Sequence, residues 1–363
     1  MRKNIFKLLT VVMGLGLMAP VTGQDLQSTL ESLAKNNAEG YLGPAVTAFG
    51  MGVNSGTFHT ARPHKMLGFD VTLNVAATAI TDAGQTYDFY IPPADVNIPI
   101  DVNGTNYSVT LNLDDVYESD RTSSTLFGDN TSNAITVDEN TASDAIYSSL
   151  ASQTGLSQTQ LQALIPSSTI TGLLSAYVPT INTPKGFNLP AFPMVMPQVS
   201  VGLPMSIELT LRGFPKAKLG DMGELSFIGF GGKIGLNQFI PIPNLVLPRI
   251  TVGYYMTTLT MGDIITANNS IATLQVSKSI PFLTVYGGLG LESSSMDVSY
   301  DYQYMDPATG STSNENVSFT LDGKNTFRTI VGVRLKLAII SINADYNVGE
   351  FNTFNIGVGL TLR

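Results

Sequence analysis

Cysteine and tryptophan are absent from these 363 residues, and only two histidines occur, His59 and His64. Without cysteine there is no disulfide framework and no thiolate metal or redox site. With two histidines, imidazole chemistry is confined to His59-Thr-Ala-Arg-Pro-His64. A metal there would need further ligands, and Asp70 is the obvious one nearby, so no metal site or cofactor is expected. Charged residues make up 13% of the chain, low for a soluble domain. The formal charge of −9 argues against nucleic acid as a partner. No stretch after the N-terminus holds 18 consecutive apolar residues, which argues against a spanning helix. The motifs G-x-S-x-G, H-E-x-x-H and the P-loop are missing. The glycines of Gly229-Phe-Gly-Gly232 and Gly287-Gly-Leu-Gly290 fall inside alternating segments, where glycine marks a bend or close packing, not a nucleotide loop.

What is present is alternation. Phe327, Thr329, Val331, Val333, Leu335 and Leu337 form one run of every-second-residue apolar character. Ile340, Ile342, Ala344, Tyr346 and Val348 form a second, and Phe354, Ile356, Val358, Leu360 and Leu362 a third. Between them stand polar, charged or glycine residues, so each run reads as a strand with one apolar and one wet face. Residues 1–23 read as a secretory signal: Arg2, Lys3 and Lys7, then an apolar stretch, then Val21-Thr22-Gly23. An export signal followed by strands of this kind predicts an all-β fold. The expected architecture is an antiparallel transmembrane barrel of ten to fourteen strands in the outer membrane of a Gram-negative bacterium.

The organisation follows. Residues 24–65 are expected to form a short helix over 25–37 and an irregular, glycine-rich, plug-like segment over 41–63. The barrel spans 66–363, with strands from about 66–77 and then in quick succession from 194. Residues 81–192 are an external insertion. It is expected to hold strands near 86–91 and 107–113, a helix opened by the capping box Ser157-x-x-Gln160 and ended by Pro166, and another over 170–177. Counting back from the last strand puts the tight turns at 202–204, 279–281 and 338 on the periplasmic side. The longer connections 214–223, 262–270 and 300–325 fall outside, with the insertion. Pro190, Pro193 and Pro197 cannot sustain a ladder. They read as rim segments or as the mouth for a lipidic ligand.

The same alternation assigns nine charged residues to the lumen: Asp70, Glu208, Glu292 and Asp345, and Arg212, Lys233, Arg328, Arg334 and Lys336. Lysine or arginine on the lipid face costs about 2–4 kcal/mol at the midplane. Mixed signs in similar numbers favour an internal ion-pair lattice over a single-sign selectivity ring. A drawing with His64, a serine and Asp70 would serve a barrel hydrolase, but any serine-rich chain permits one.

The block from Gln198-Val-Ser-Val-Gly202-Leu-Pro204 through Glu208 and Arg212-Gly-Phe-Pro215 carries a resemblance. It continues through Gly220-Asp-Met-Gly223 and Gly229-Phe-Gly-Gly-Lys233 to Pro241, joined by Tyr41-x-x-Pro44 and Gly56-Thr-Phe-His-Thr-Ala61. Together these resemble an uncharacterised outer-membrane barrel family of the Bacteroidota type, a domain-of-unknown-function group. The arrangement is distantly similar to the long-chain fatty-acid transporters, whose N-terminal plug precedes the barrel, though their usual motif near the first strand is missing. The resemblance implies no catalytic residue. It implies a non-enzymatic barrel that binds or passes small, including hydrophobic, molecules. The alternative is a structural barrel whose insertion meets a surface partner. Outer-membrane lipids and the barrel-assembly machinery are the expected partners, with a hydrophobic small molecule as ligand.

Overall fold

The computed structural model describes residues 35–218, 224–240, 247–305 and 312–362. The signal segment and the first part of the expected 25–37 helix lie outside the described residues. The described residues begin with α1 (Lys35–Val53), and the chain reaches β1 (Phe69–Ala79) through a run of turns and bends. The insertion then folds as β2 (Thr86–Asp88), β3 (Asp95–Val102), β4 (Thr105–Asn112), α2 (Leu113–Val116), β5 (Thr122–Ser124) and β6 (Ala134–Ile135). It continues with α3 (Glu139–Thr154), α4 (Gln158–Leu164), α5 (Ser167–Tyr177) and β7 (Ile181–Asn182). The wall resumes with β8 (Ala191–Leu203), β9 (Ile207–Lys218), β10 (Glu224–Gly235), β11 (Arg249–Met261) and β12 (Ile265–Ile280). Last come β13 (Leu283–Met305), β14 (Thr312–Asp322), β15 (Phe327–Leu337), β16 (Ile340–Val348) and β17 (Thr353–Leu362).

Ten of these strands close into an antiparallel barrel. Each pairs with its neighbour along the wall, β1 pairs with β17, and β12 with β13 closes the ring. Strand β14 continues the line of β15: β13 pairs with β15 over its first half and with β14 over its second. The insertion strands stand apart in their own two-stranded ladders.

Exposure in the barrel is inverted relative to a soluble protein. Outward Leu211, Phe230 and Val331 are 57%, 59% and 62% exposed, while inward Arg328 and Asp70 are 0% and 1% exposed. Toward the end bearing the insertion this pattern flips. On β13, inward Tyr286 and Glu292 give way to Met296 and Val298, while outward Leu289 and Leu291 give way to Ser293 and Asp297. On β12, inward Gln275 and Thr273 give way to Ile271 and Ala267, facing outward Asn268 and Ser270. The interior therefore has two zones. A polar lower zone lies behind the apolar belt, and an apolar upper zone lies behind an exterior that turns polar on β12 and β13, while β8 keeps Pro193, Val195 and Pro197 outward.

The flip explains two corrections. Segments 262–270 and 300–325, read as long loops, are largely strand, because β12 begins at Ile265, β13 runs to Met305 and β14 spans Thr312–Asp322. Beyond the belt the outward apolar stripe that reveals a strand is lost. The glycine-rich 41–63 segment is likewise not irregular throughout, since α1 runs to Val53 through Gly40, Gly43, Pro44, Gly50 and Gly52. Tertiary packing overrides propensity there. A Cβ on Gly50 would lie 2.6 Å from Ser294 Oγ, and one on Gly52 3.0 Å from Met194 Sδ, so the glycines let the helix press against the wall. Pro193 and Pro197 also lie within a strand, β8.

The insertion has a hydrophobic core of its own, built on Ile98, Val109, Ile146, Leu150, Leu161 and Ile170. Its predicted capping box is present, with Ser157 and Gln160 bonding reciprocally, and α5 follows Pro166. This cap also grips the start of α1. Asn37 Nδ2 donates to the Tyr90 carbonyl at 2.8 Å, Tyr90 N–H donates to Asn37 Oδ1 at 2.7 Å, and the Tyr41 hydroxyl donates to the Lys185 carbonyl at 3.0 Å.

Candidate functional site: the plugged lumen and a break in the wall

Helix α1 and residues 54–65 run down the inside of the barrel. The upper half of α1 lies in the apolar zone, where Leu42, Val46 and Phe49 pack with Met194, Met196, Phe227 and Val298. Its C-terminus presents unpaired carbonyls, a partial negative charge that cations satisfy. Two buried wall arginines do this. Arg212 Nη1 donates to the Val53 carbonyl at 2.7 Å and Nη2 to the Ser55 carbonyl at 2.6 Å. Arg328 Nη1 donates to the Met51 carbonyl at 3.1 Å and Nη2 to the Gly50 carbonyl at 3.4 Å. Arg328 also pairs with Glu292 at 2.6 Å, and Glu292 accepts from Asn54 Nδ2 at 3.1 Å and from Asn325.

Below the helix the chain turns at Gly56, whose φ of +62° and close approach to Asn74 and Asn355 exclude a side chain. Phe58 then meets Tyr286 edge-on at 5.7 Å. His59 Nε2 lies 2.9 Å and His64 Nε2 3.4 Å from Asp70 Oδ2. Glu208 accepts from the His64 backbone N–H at 2.9 Å and pairs with Lys233 at 3.0 Å, and Lys233 Nζ donates to the Thr60 carbonyl at 2.9 Å. Asp345 accepts from Tyr286 at 3.0 Å, Asn347 at 2.7 Å and Asn355 at 2.8 Å. Arg334 donates to Thr361 Oγ1 at 2.8 Å, and Lys336 is half-buried at the short-turn mouth.

Eight of the nine charges assigned to the lumen are thus buried, and six of them (Asp70, Glu208, Glu292, Arg212, Lys233 and Arg328) bond directly to the 50–64 segment. Asp345, Arg334 and Lys336 hold wall partners or the mouth instead. The histidines join the lattice at Asp70, and their Nε2 atoms face its carboxylate, not a serine. Parity along β13 with Glu292 places Tyr286 inside, a signal that was available but unused. Asn54 and Asn325 lie off the strands and carried no such signal.

Burial holds the His59 pKa below the ordinary histidine value, against the pull of Asp70. The docked imidazole is therefore neutral. A released His59 would return to about 6.5 and take up a proton. The docking stability it contributes is present above that value and is lost as pH falls through it. Protease accessibility of the 54–65 segment should rise below pH ~6.5, by up to about tenfold per unit. His59→Gln should flatten that dependence, and a pH-independent cleavage rate would refute the linkage.

The wall itself is interrupted between β8 and β9. Their ladder covers only Gln198–Leu203 against Ile207–Arg212, although β8 starts at Ala191 and β9 runs to Lys218. The Gly202 N–H and carbonyl bond to Gly68 and Leu67, and the Pro190 carbonyl accepts from Ile80, so even-numbered β8 positions face β1. Odd-numbered positions face β9, and two of them are Pro193 and Pro197, which have no N–H to give. On the other side β9 bends at Gly213, with φ +124°, beside a bulge opposite Leu225–Phe227. Phe214 turns in there and stacks on Phe227 at 5.7 Å. Behind the break lie Met194, Met196 and the apolar zone around α1.

The sequence model of a family of unknown function, DUF6588, matches residues 1–362. The chain belongs to that family. Membership carries neither an activity nor the Bacteroidota origin that the resemblance suggested. No curated protein matches the chain. Among solved structures it is similar to OmpT, an outer membrane protein of Vibrio cholerae, at 13% identity and TM-score 0.23, over 46% of this chain and 55% of that one. A loop L8 deletion mutant of OmpT matches at 14% identity and TM-score 0.22, over 81% and 99%. The transport unit of the autotransporter AIDA-I from Escherichia coli matches at 6% identity and TM-score 0.25, over 90% and 99%. The alignment thus spans about half the length of OmpT, and superpositions this loose transfer no site.

Proposed function

We propose that this is an outer-membrane barrel of a Gram-negative bacterium, without catalytic activity. It takes small hydrophobic molecules into its apolar upper zone while residues 35–65 keep the lumen shut. The break between β8 and β9 carries this reading. A wall in lipid must satisfy its backbone groups, and an unpaired edge is tolerated only where it borders protein, water or a ligand path. Here the edge is encoded by two prolines and a bulge, and it borders methionine and phenylalanine side chains that suit varied apolar shapes. The apolar belt supports membrane residence, and the short-turn end would face the periplasm.

The test uses amphipol-held full-length protein and N-phenyl-1-naphthylamine. Saturable fluorescence enhancement is expected. Pro193→Val with Pro197→Val restores two donors toward β9, which should extend the ladder and slow association at least tenfold. Unchanged association in the double variant would remove the break from the route. No saturable binding would dispose of the reading.

A second reading draws on the cap's separate core and its hydrogen bonds to α1. In it the plugged barrel anchors a surface-binding domain. Its mark would be partner binding retained by a soluble 80–190 fragment.

A further inference from the structure

Among the described residues, the charged side chains lining the mouth at the short-turn end are of one sign. Two adjoining cavities of about 320 and 360 Å³ open there and share Arg62, Pro63, His64 and Lys65. Arg334 and Lys336 add cations to the lining of one and Arg249 to that of the other, and among the described residues neither lining contains an aspartate or glutamate. The nearby carboxylates are engaged inward, Asp70 with the two imidazoles and Glu208 with Lys233.

Arg334 decides what this mouth is for. It is 6% exposed, its Nε has no hydrogen-bond partner, and one amino group reaches a single acceptor, Thr361 Oγ1. Arg328 and Arg212 also have unpaired Nε atoms, but each grips at least two carbonyls, and Arg328 has a carboxylate besides. Among the described residues no carboxylate comes within ion-pair distance of Arg334. A buried guanidinium with unmet donors beside a cavity is costly alone and well suited to an oxyanion, whose oxygens its fork matches. Thr60, Thr284 and Thr361 line the same cavity, their hydroxyls paired with those of Ser277, Ser279 and Ser341. One guanidinium and the rim cations supply more donors than the two oxygens of a carboxylate accept, and they suit the tetrahedral oxygens of a phosphate group.

We propose that this cavity binds a phosphate group, with Arg334 as the buried anchor and Lys336 and Arg62 at the rim. The inference is independent of the break in the wall. A lipid headgroup and free phosphate share this chemistry.

Full-length protein in a non-ionic detergent at low ionic strength would be titrated calorimetrically with inorganic phosphate and, separately, with dihexanoyl phosphatidylglycerol. Saturable one-site binding of at least one is expected. It should weaken at least tenfold in Arg334→Gln and in the rim variant Arg62→Gln with Lys336→Gln, and stay unchanged in Lys185→Gln on the cap. The rim residues are at least partly exposed, so that double variant keeps the test valid if Arg334→Gln fails to fold. Phosphate binding untouched by the lipid would assign a soluble ligand, and displacement by the lipid a headgroup. No saturable heat with either ligand, or unchanged binding in the folded rim variant, would overturn the proposal.

Discussion

Arg328→Ala is expected to destabilise the barrel by about 3–5 kcal/mol, the range for stranding one partner of a buried ion pair. Glu292 would keep only the amides of Asn54 and Asn325, and the carbonyls of Gly50 and Met51 would each lose one of two donors, keeping the Asn54 N–H and the Ser55 hydroxyl. Urea unfolding in lipid vesicles, read by heat-modifiable gel migration, measures the loss. Arg328→Met combined with Glu292→Gln removes the orphaned charge and should recover most of it, since a neutral pair of similar volume often matches a buried ion pair. Arg212→Met separates the two contributions. Arg212 meets carbonyls and a thioether but, among the described residues, no carboxylate within ion-pair distance, so its loss should cost about 1–3 kcal/mol. Equal costs for Arg212→Met and Arg328→Ala, or no recovery in the double variant, would show that the ion pair is not what fixes the helix end.

The second large effect concerns conductance. The intact protein should be silent in a planar bilayer, because α1 and residues 54–65 fill the interior and are held by the cap at the upper end and by wall side chains below. Deleting residues 35–65 should convert silence into steady conductance. The deletion also exposes the apolar upper zone, so a full-length variant is the companion test. Gly50→Leu with Gly52→Leu drives bulk into Ser294 and Met194 and should displace the helix, producing intermittent openings. Silence from both would mean that the wall side chains alone block the lumen. Weight would then move to the cap as the working surface.

Much of the wall was legible because a barrel strand behind an apolar belt writes period two directly into the chain. Val331, Val333 and Leu335 against Arg328, Arg334 and Gly332 leave one choice of face. The lumen charges followed from the same parity. The insertion helices were legible from local signals, the Ser157–Gln160 box and Pro166. Helix α1 was not. Its glycines and Pro44 read as loop, and only the surrounding wall makes a helix of them worthwhile, by burying it on every side. The upper strands were missed for a related reason, because above the belt the outer face becomes polar and the chain no longer displays its alternation outward.

What the sequence determined by itself is the class of the molecule and which way each residue of the wall behind the apolar belt points, since alternation is a local property that needs no partner. Which charge meets which was decided by the tertiary structure. Arg328 finds Glu292, and Asp70 finds His59 and His64, through barrel register and the path of the plug, which are set by pairings between residues far apart in the chain. The break in the wall belongs to both levels. Pro193 and Pro197 withhold the donors locally, but only the closed ladder shows that those donors would have faced β9.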